Sequence, residues 1–203
     1  MFETDSIDYE ILNDSCEYIS KNNILGNIIE LGTRKGGSAV LIADALERFE
    51  DTNRVFVCVD PYGNIDYASS DLHLAIKFDY NNRMRDETIP NLFSYITDLG
   101  FNFQFFNLED TEFFSRYSDG IPVYNEFKKI ESEYALVFID GPHCLDSVLL
   151  EAEFFIPRIS MNGIIIFDDI PYYDHQQVEN KMLISGFEIF AISKHKKAYK
   201  RVN

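Results

Sequence analysis

The stretch YALVFIDGPHCLDSVLLEAEFFIPRISMNGIIIFDDI, residues 134–170, holds two apolar runs with an amphipathic segment between them. The first run, YALVFID, ends on Asp140; the second, GIIIFDD, ends on Asp168 and Asp169. Nearly unbroken Ile, Val and Phe mark strands covered on both faces, and residues 143–157 carry apolar positions at helical spacing. The unit reads as strand, helix, parallel strand, with its acids side by side at the strands' carboxyl ends. An α/β sheet builds a metal or acid/base site from carboxylates placed there. Turns and helix N-caps use Asp at the same places. Asp140, Asp168, Asp169 and His143, which follows Asp140 by three residues, are the first candidates for chemistry.

Outward from this unit, the same alternation runs along the chain. Short apolar runs lie at 27–31, 54–60 and 101–107, with helical patterns at 38–50, 71–98 and 173–185. The order predicts an α/β fold, a doubly wound, mostly parallel sheet. FEIFAIS, 187–193, and KKAYKRV, 196–202, are separated by two residues, too few for a parallel crossover, so the sheet ends in an antiparallel β-hairpin. Residues 6–21 read as an N-terminal helix with Ile7, Ile11, Leu12, Tyr18 and Ile19 as its apolar positions. At 203 residues, 46% hydrophobic and 26% charged, without repeats or low-complexity tracts, the chain predicts one domain over 1–203.

A net charge of −16 argues against a nucleic-acid partner, which needs a basic face to release counterions. KHKKAYKR, 194–201, is the basic exception, and its lysines read as a solvated final strand and turn. Cys16, Cys58 and Cys144 are odd in number and lack metal spacing, which fits reduced thiols and a cytoplasmic setting. The acidic start MFETDSIDYEIL is unlike a signal peptide, and no run has membrane-spanning length, so no membrane partner is expected.

The first strand leads into Glu30-Leu31-Gly32-Thr33-Arg34-Lys35-Gly36-Gly37-Ser38 and then a helix. A glycine-rich turn lets a ligand approach the backbone, with Ser38 expected as helix N-cap. The Gly-x-x-x-Gly spacing lacks the G-x-G-x-x-G fingerprint and so disfavours NAD. Asp60, ending the second strand, is placed to accept both hydroxyls of an adenosine ribose; a turn former before Pro61 is the other reading, and the adjoining glycine turn favours the ribose.

These residues resemble the first motif of the class I S-adenosylmethionine-dependent methyltransferases, an acid, one residue, then Gly-x-x-x-Gly, matched by Glu30, Gly32 and Gly36. The resemblance covers almost the whole chain, terminal hairpin included, and implies the Rossmann-like methyltransferase fold. It implies that Glu30 lies near the methionine end of S-adenosylmethionine, that Gly32, Thr33, Gly36 and Ser38 line the cofactor, and that Asp60 holds the ribose. For the adenine region Glu109 and Asp110 are both candidates, and Glu109 is the one carried over.

Within that superfamily, IDGPH followed by GIIIFDDI resembles the metal-dependent macrocin and related sugar O-methyltransferases. The resemblance implies Asp140, Asp168 and Asp169 as ligands of Mg²⁺ or Mn²⁺, His143 as general base and a small-molecule hydroxyl, sugar-like or other, as acceptor. An all-carboxylate set agrees with a hard cation, and Asp169 reads alternatively as an acid that orients the ligands. The catechol and caffeoyl-coenzyme A type is the close alternative, but it usually carries Lys at the His143 position and Asp-Asn at 168–169. A non-catalytic S-adenosylmethionine-binding protein is the other alternative. His73, His175 and His195 read as surface residues or ordinary hydrogen-bond partners, and Tyr62, Tyr67, Tyr172 and Tyr173 as candidates for an acceptor pocket. No long insertion supplies a lid, a wall that a homo-oligomer could provide.

Overall fold

Period-two alternation along the central strands sorts their side chains into two layers. In the computed structural model, which describes residue 2, residues 7–63 and residues 81–203, the strands are β1 Asn27–Leu31, β2 Val55–Val59, β3 Asn102–Phe106, β4 Ile121–Tyr124, β5 Lys128–Glu131, β6 Tyr134–Ile139, β7 Ile159–Phe167, β8 Phe187–Ile192 and β9 Lys197–Arg201. Among them run helices α1 Glu10–Lys21, α2 Gly37–Glu47, α3 Asn82–Asp98, α4 Asp110–Arg116, α5 Leu145–Phe155 and α6 His175–Ile184. Seven strands form one sheet in the order β3-β2-β1-β6-β7-β9-β8, and β4-β5 is a separate antiparallel pair.

Every residue of β1, β2 and β6 is buried, as their apolar runs require. Ile28, Phe56, Leu136 and Ile164, neighbours in register, pack in one layer with Leu12 and Ile19 of α1, Ile42 and Leu46 of α2, and Leu92 and Ile96 of α3. Their successors Ile29, Val57, Val137 and Ile165 pack in the other layer with Phe113 of α4, Val148 and Phe155 of α5, and Val178 and Met182 of α6. Each such buried side chain stabilises the fold by about 1.5–3 kcal/mol relative to exposure. No described helix is long and apolar enough to cross a membrane.

β1 to β3 extend the sheet one way and β6 onward the other, so the strand order reverses between β1 and β6. In open α/β sheets this reversal opens a crevice at the strands' carboxyl ends. The 37-residue opening stretch contributes β6, α5 and β7 to one side of it.

Two expected helices differ in extent, and one hairpin carries no sequence signal. The N-terminal helix begins at Glu10, not at residue 6, because Asp8 has a positive φ of 65° and its carboxylate accepts the His195 amide at 2.9 Å. The 71–98 helix is found over Asn82–Asp98, and residues 71–80 fall outside the described residues. The β4–β5 hairpin was not foreseen; β5, KKIE, is largely exposed and carries no apolar run to betray a strand.

Candidate active site

The glycine turn is shaped by contact with the opposite side of the crevice. Gly32 has φ 82° and its amide donates to the Val59 carbonyl at 2.9 Å. A Cβ built on Gly32 would lie 1.9 Å from the Asp140 carbonyl oxygen. Only glycine therefore lets the end of β1 come this close to the end of β6. Gly36, at φ 79°, is the residue that caps α2, and a Cβ there would meet Leu92 at 2.8 Å. Ser38, expected as the cap, instead lies buried inside the first turn of α2, because the chain needs a left-handed residue at the cap position.

Glu30 is fully buried, in register with Cys58 and Phe138. The Cys58 thiol donates to Oε2 at 3.6 Å, while Oε1 and the nearby Thr33 hydroxyl have no hydrogen-bond partner. Burial pushes the Glu30 pKa up to about 7, with the Ser38, Thr33 and Cys58 side chains pulling it down. An unpartnered buried acceptor and hydroxyl at the head of a glycine turn form a polar cradle that a ligand's ammonium group and hydrogen-bonding atoms would satisfy. The residues therefore fit the amino-acid end of S-adenosylmethionine.

Asp60 is also fully buried, and it fastens the turn. Its Oδ2 accepts the Arg34 amide at 2.8 Å and its Oδ1 accepts the Tyr62 amide at 2.9 Å. The Tyr62 hydroxyl donates back to the Arg34 carbonyl, so Tyr62 is a buried strut and not an acceptor-pocket wall. Burial raises the Asp60 pKa to about 6 in spite of the Arg34, Tyr62 and Thr33 amides. The turn-forming role is thus realised, and the carboxylate keeps acceptor capacity for a ligand hydroxyl. The Asn107 amide, which sequence reading missed, donates to the Asp60 carbonyl at 2.9 Å.

Of the two acids after β3, Glu109 is exposed and Asp110 turns inward. An Asp110 oxygen lies 3.3 Å, and a Glu151 oxygen 2.8 Å, from where a Cβ on Gly141 would stand. Burial raises the pKa of both acids. Asp110 therefore faces the crevice where Glu109 had been expected. Glu151 went unnoticed because an acid inside an amphipathic helix reads as solvent-facing.

The reaction half is set by the same ladder continued past the strand ends. The Asp140 amide donates to Leu31 O and the Asp168 amide to Ile139 O, each at 2.9 Å. His143, in the loop before α5, places Nε2 3.2 Å from Asp169 Oδ2 and 3.7 Å from Asp140 Oδ1. These three side chains keep 20%, 33% and 19% exposure, so a solute can reach them. Burial lowers the His143 pKa and so favours the neutral imidazole, with Asp169 and Asp168 pulling the other way. Burial raises the Asp140 pKa, with Asp168 adding to it, and raises that of Asp169, which His143 pulls down. Asp169 is left-handed at φ 51°, a conformation Asp tolerates, and its amide donates to Asp168 Oδ1 at 2.7 Å.

Lys196 overturns the expectation of a solvated lysine run. It is fully buried, and its Nζ donates to Asp168 Oδ2 at 2.7 Å. Its neighbours are less deeply placed and ion-paired: Lys197, 13% exposed, pairs with Glu179, and Lys200, 20% exposed, with Glu188 at 2.6 Å. The β7–β9 register explains the exception, since Phe167 lies opposite Lys197 and the next pair outward is Asp168 and Lys196. Lys196→Met would strand a buried carboxylate, and urea denaturation should show a loss of about 3 kcal/mol.

This pairing bears on the three-carboxylate metal shell implied by the sequence. Asp168 offers one oxygen to an ammonium and the other to an amide, and a cation sharing it with Lys196 on the order of 4 Å away would be repelled by about 4 kcal/mol per unit charge. Among the described residues no group of three or more His, Cys, Asp or Glu is arranged to hold a metal ion. The cluster as folded does not fit a Mg²⁺ or Mn²⁺ held by all three acids.

The remaining candidates are structural. His175 bridges the Tyr199 hydroxyl at 2.8 Å and the Tyr173 hydroxyl at 3.2 Å, and burial lowers its pKa to about 4. Tyr173 is buried and donates to the Asp168 carbonyl at 3.2 Å, so it supports the site from behind; Tyr172 is exposed. His195 contributes backbone bonds to Asp8 and Ile170. Tyr67 and His73 lie outside the described residues. The three cysteines are free thiols.

Known proteins share this architecture. Residues 29–170 match the family described as "Methyltransferase domain". The O-methyltransferase NovP superposes with a TM-score of 0.65 at 19% identity, over 96% of this chain and 79% of its own. An O-methyltransferase from Bacillus cereus, solved with S-adenosylhomocysteine, gives 0.64 at 10% identity over 98% and 84%. CalS11, described as a TDP-rhamnose 3'-O-methyltransferase, gives 0.56 at 14% over 94% and 77%. No curated protein sequence matches the chain. Because the family match spans well over half of the chain and includes both halves of the crevice, the protein belongs to the methyltransferase-domain family and has the class I S-adenosylmethionine-dependent methyltransferase fold.

Proposed function

We propose that the protein is an S-adenosylmethionine-dependent O-methyltransferase acting on a hydroxyl of a small molecule, with His143 as general base. The observation that carries this reading is the contact of Gly32 with the Asp140 backbone, which joins the cofactor turn to the acid and imidazole cluster in one crevice. Solved relatives described as O-methyltransferases, one of them acting on TDP-rhamnose, support the acceptor class.

S-adenosylmethionine supplies a sulfonium-bound methyl group with a good leaving group already attached. The chain's task is alignment and proton removal. Glu30 and Thr33 receive the amino-acid end, and the remaining acceptor capacity of Asp60 receives the ribose. A neutral His143 whose Nε2–H faces Asp169 and Asp140, at 3.2 and 3.7 Å, accepts the acceptor's hydroxyl proton at Nδ1, and the two acids stabilise the imidazolium that forms. A panel of nucleotide sugars, glycosides and phenols incubated with methyl-labelled S-adenosylmethionine should yield label in an acid-stable ether. Label appearing only on nitrogen or carbon would contradict the reading.

A pH prediction follows from Glu30 and Asp60, whose pKa values stand at about 7 and about 6. Both are raised above ordinary carboxylate values, so the empty fold loses their contribution as pH rises from the carboxylate range through those values. A ligand that brings an ammonium group to Glu30 and hydroxyls to Asp60 favours the ionised forms, so its binding releases protons. Calorimetry should show S-adenosylhomocysteine affinity rising between about pH 5.5 and 7.5 by roughly tenfold, with proton release visible as a dependence of heat on buffer ionisation enthalpy.

A further inference from the structure

Asp140, Asp168 and Asp169 gather three carboxylates at neighbouring strand ends, and the cation seated against them belongs to the protein. Lys196 is 0% and Asp168 4% exposed, and Nζ stands 2.7 Å from Oδ2 and 5.6 Å from the centre of the Phe138 ring. The lysine's backbone is fixed as firmly as its side chain. Its amide donates to the Ser193 hydroxyl at 2.9 Å and its carbonyl accepts the Ser193 amide at 2.9 Å. The preceding carbonyl, that of His195, accepts the Ile170 amide at 3.0 Å, which ties the hairpin tip to the segment after Asp169. The antiparallel register of β7 and β9 sets Lys196 across from Asp168.

We infer that Lys196 is the resident cation of the reaction site, occupying Asp168 in place of a divalent metal, so that the acceptor hydroxyl is deprotonated there by His143 without a metal ion. The inference rests on the methyltransferase reading above and deepens it. Lys196 is a positioning residue: it neutralises Asp168 and, through the Asp168 Oδ1 bond to the Asp169 amide, holds the acid that faces His143. The acceptor class narrows accordingly. Metal-assisted transfer favours adjacent hydroxyls that chelate the ion, whereas this site needs only one hydroxyl within reach of Nδ1.

The test is a titration of Mn²⁺ into the protein saturated with S-adenosylhomocysteine, with free Mn²⁺ followed by electron paramagnetic resonance. The wild-type protein should leave the free-ion signal on the protein-free line. Lys196→Met, which releases Asp168, should bind one Mn²⁺ per chain at least about tenfold more tightly than wild type; a purely structural lysine would give no such gain. Stoichiometric binding of Mn²⁺ by wild type that disappears in Asp168→Asn overturns the inference, as does a folded Lys196→Met with unchanged affinity. If Lys196→Met does not fold, the wild-type and Asp168→Asn titrations decide. Failure of wild type to bind S-adenosylhomocysteine in a parallel titration would instead sink the methyltransferase reading.

Discussion

Gly32→Ala should cost the fold on the order of 4 kcal/mol or more and remove cofactor binding with it. Two effects add. The residue sits at φ 82°, where a side chain is strained by about 1–2 kcal/mol. Its new Cβ would lie 1.9 Å from the Asp140 carbonyl oxygen and 2.5 Å from the carbonyl carbon, atoms of backbone that cannot rotate away. Relief requires β1 and β6 to separate at their carboxyl ends, against the bond from the Asp140 amide to Leu31 O. The same movement pulls the glycine turn from the acid cluster. Denaturant unfolding should show the stability loss, and calorimetry the loss of S-adenosylhomocysteine binding. A substitution at Gly63 makes the control, since its Cβ would meet nothing nearer than Asn82 at 3.6 Å, leaving only the strain of φ 79°.

His143→Ala should lower methyl transfer by about 10²–10⁴-fold. S-adenosylhomocysteine affinity should change little, because Glu30, Thr33 and Asp60 lie on the other side of the crevice from the imidazole. His143 has no described structural duty beyond its approach to Asp140 and Asp169, so the fold should tolerate its loss. His143→Gln, which keeps bulk and hydrogen bonding but cannot accept the proton at neutral pH, should be as impaired as Ala. Single-turnover rates with a labelled methyl donor check both variants; a His143→Ala protein with near-normal turnover would remove the imidazole from the mechanism.

The architecture was legible because its signals are local. Unbroken apolar runs such as VFVCV and YALVFI can only be central strands, and two residues between FEIFAIS and KKAYKRV force a hairpin. The acids at strand ends were legible for the same reason, and the structure brings Asp140, His143 and Asp169 within one cluster as their positions suggested. What the sequence concealed depends on register and direction. Lys196 reads as one more surface lysine in KHKKAYKR until β9 is paired with β7; counting outward from the hairpin would have placed it opposite Asp168. Ser38 looked like a cap because Ser is a good one, yet a left-handed glycine already ended the turn. Glu109 and Asp110 are adjacent and chemically alike, and only the packing of α4 decides which one turns inward.

Isothermal titration of the purified protein with S-adenosylhomocysteine, beside NAD, tests the central claim most directly. The crevice between β1 and β6, with its buried Glu30 acceptor and Gly-x-x-x-Gly turn, predicts saturable binding of one S-adenosylhomocysteine per chain and no binding of NAD. Binding of NAD with no response to S-adenosylhomocysteine would contradict the account.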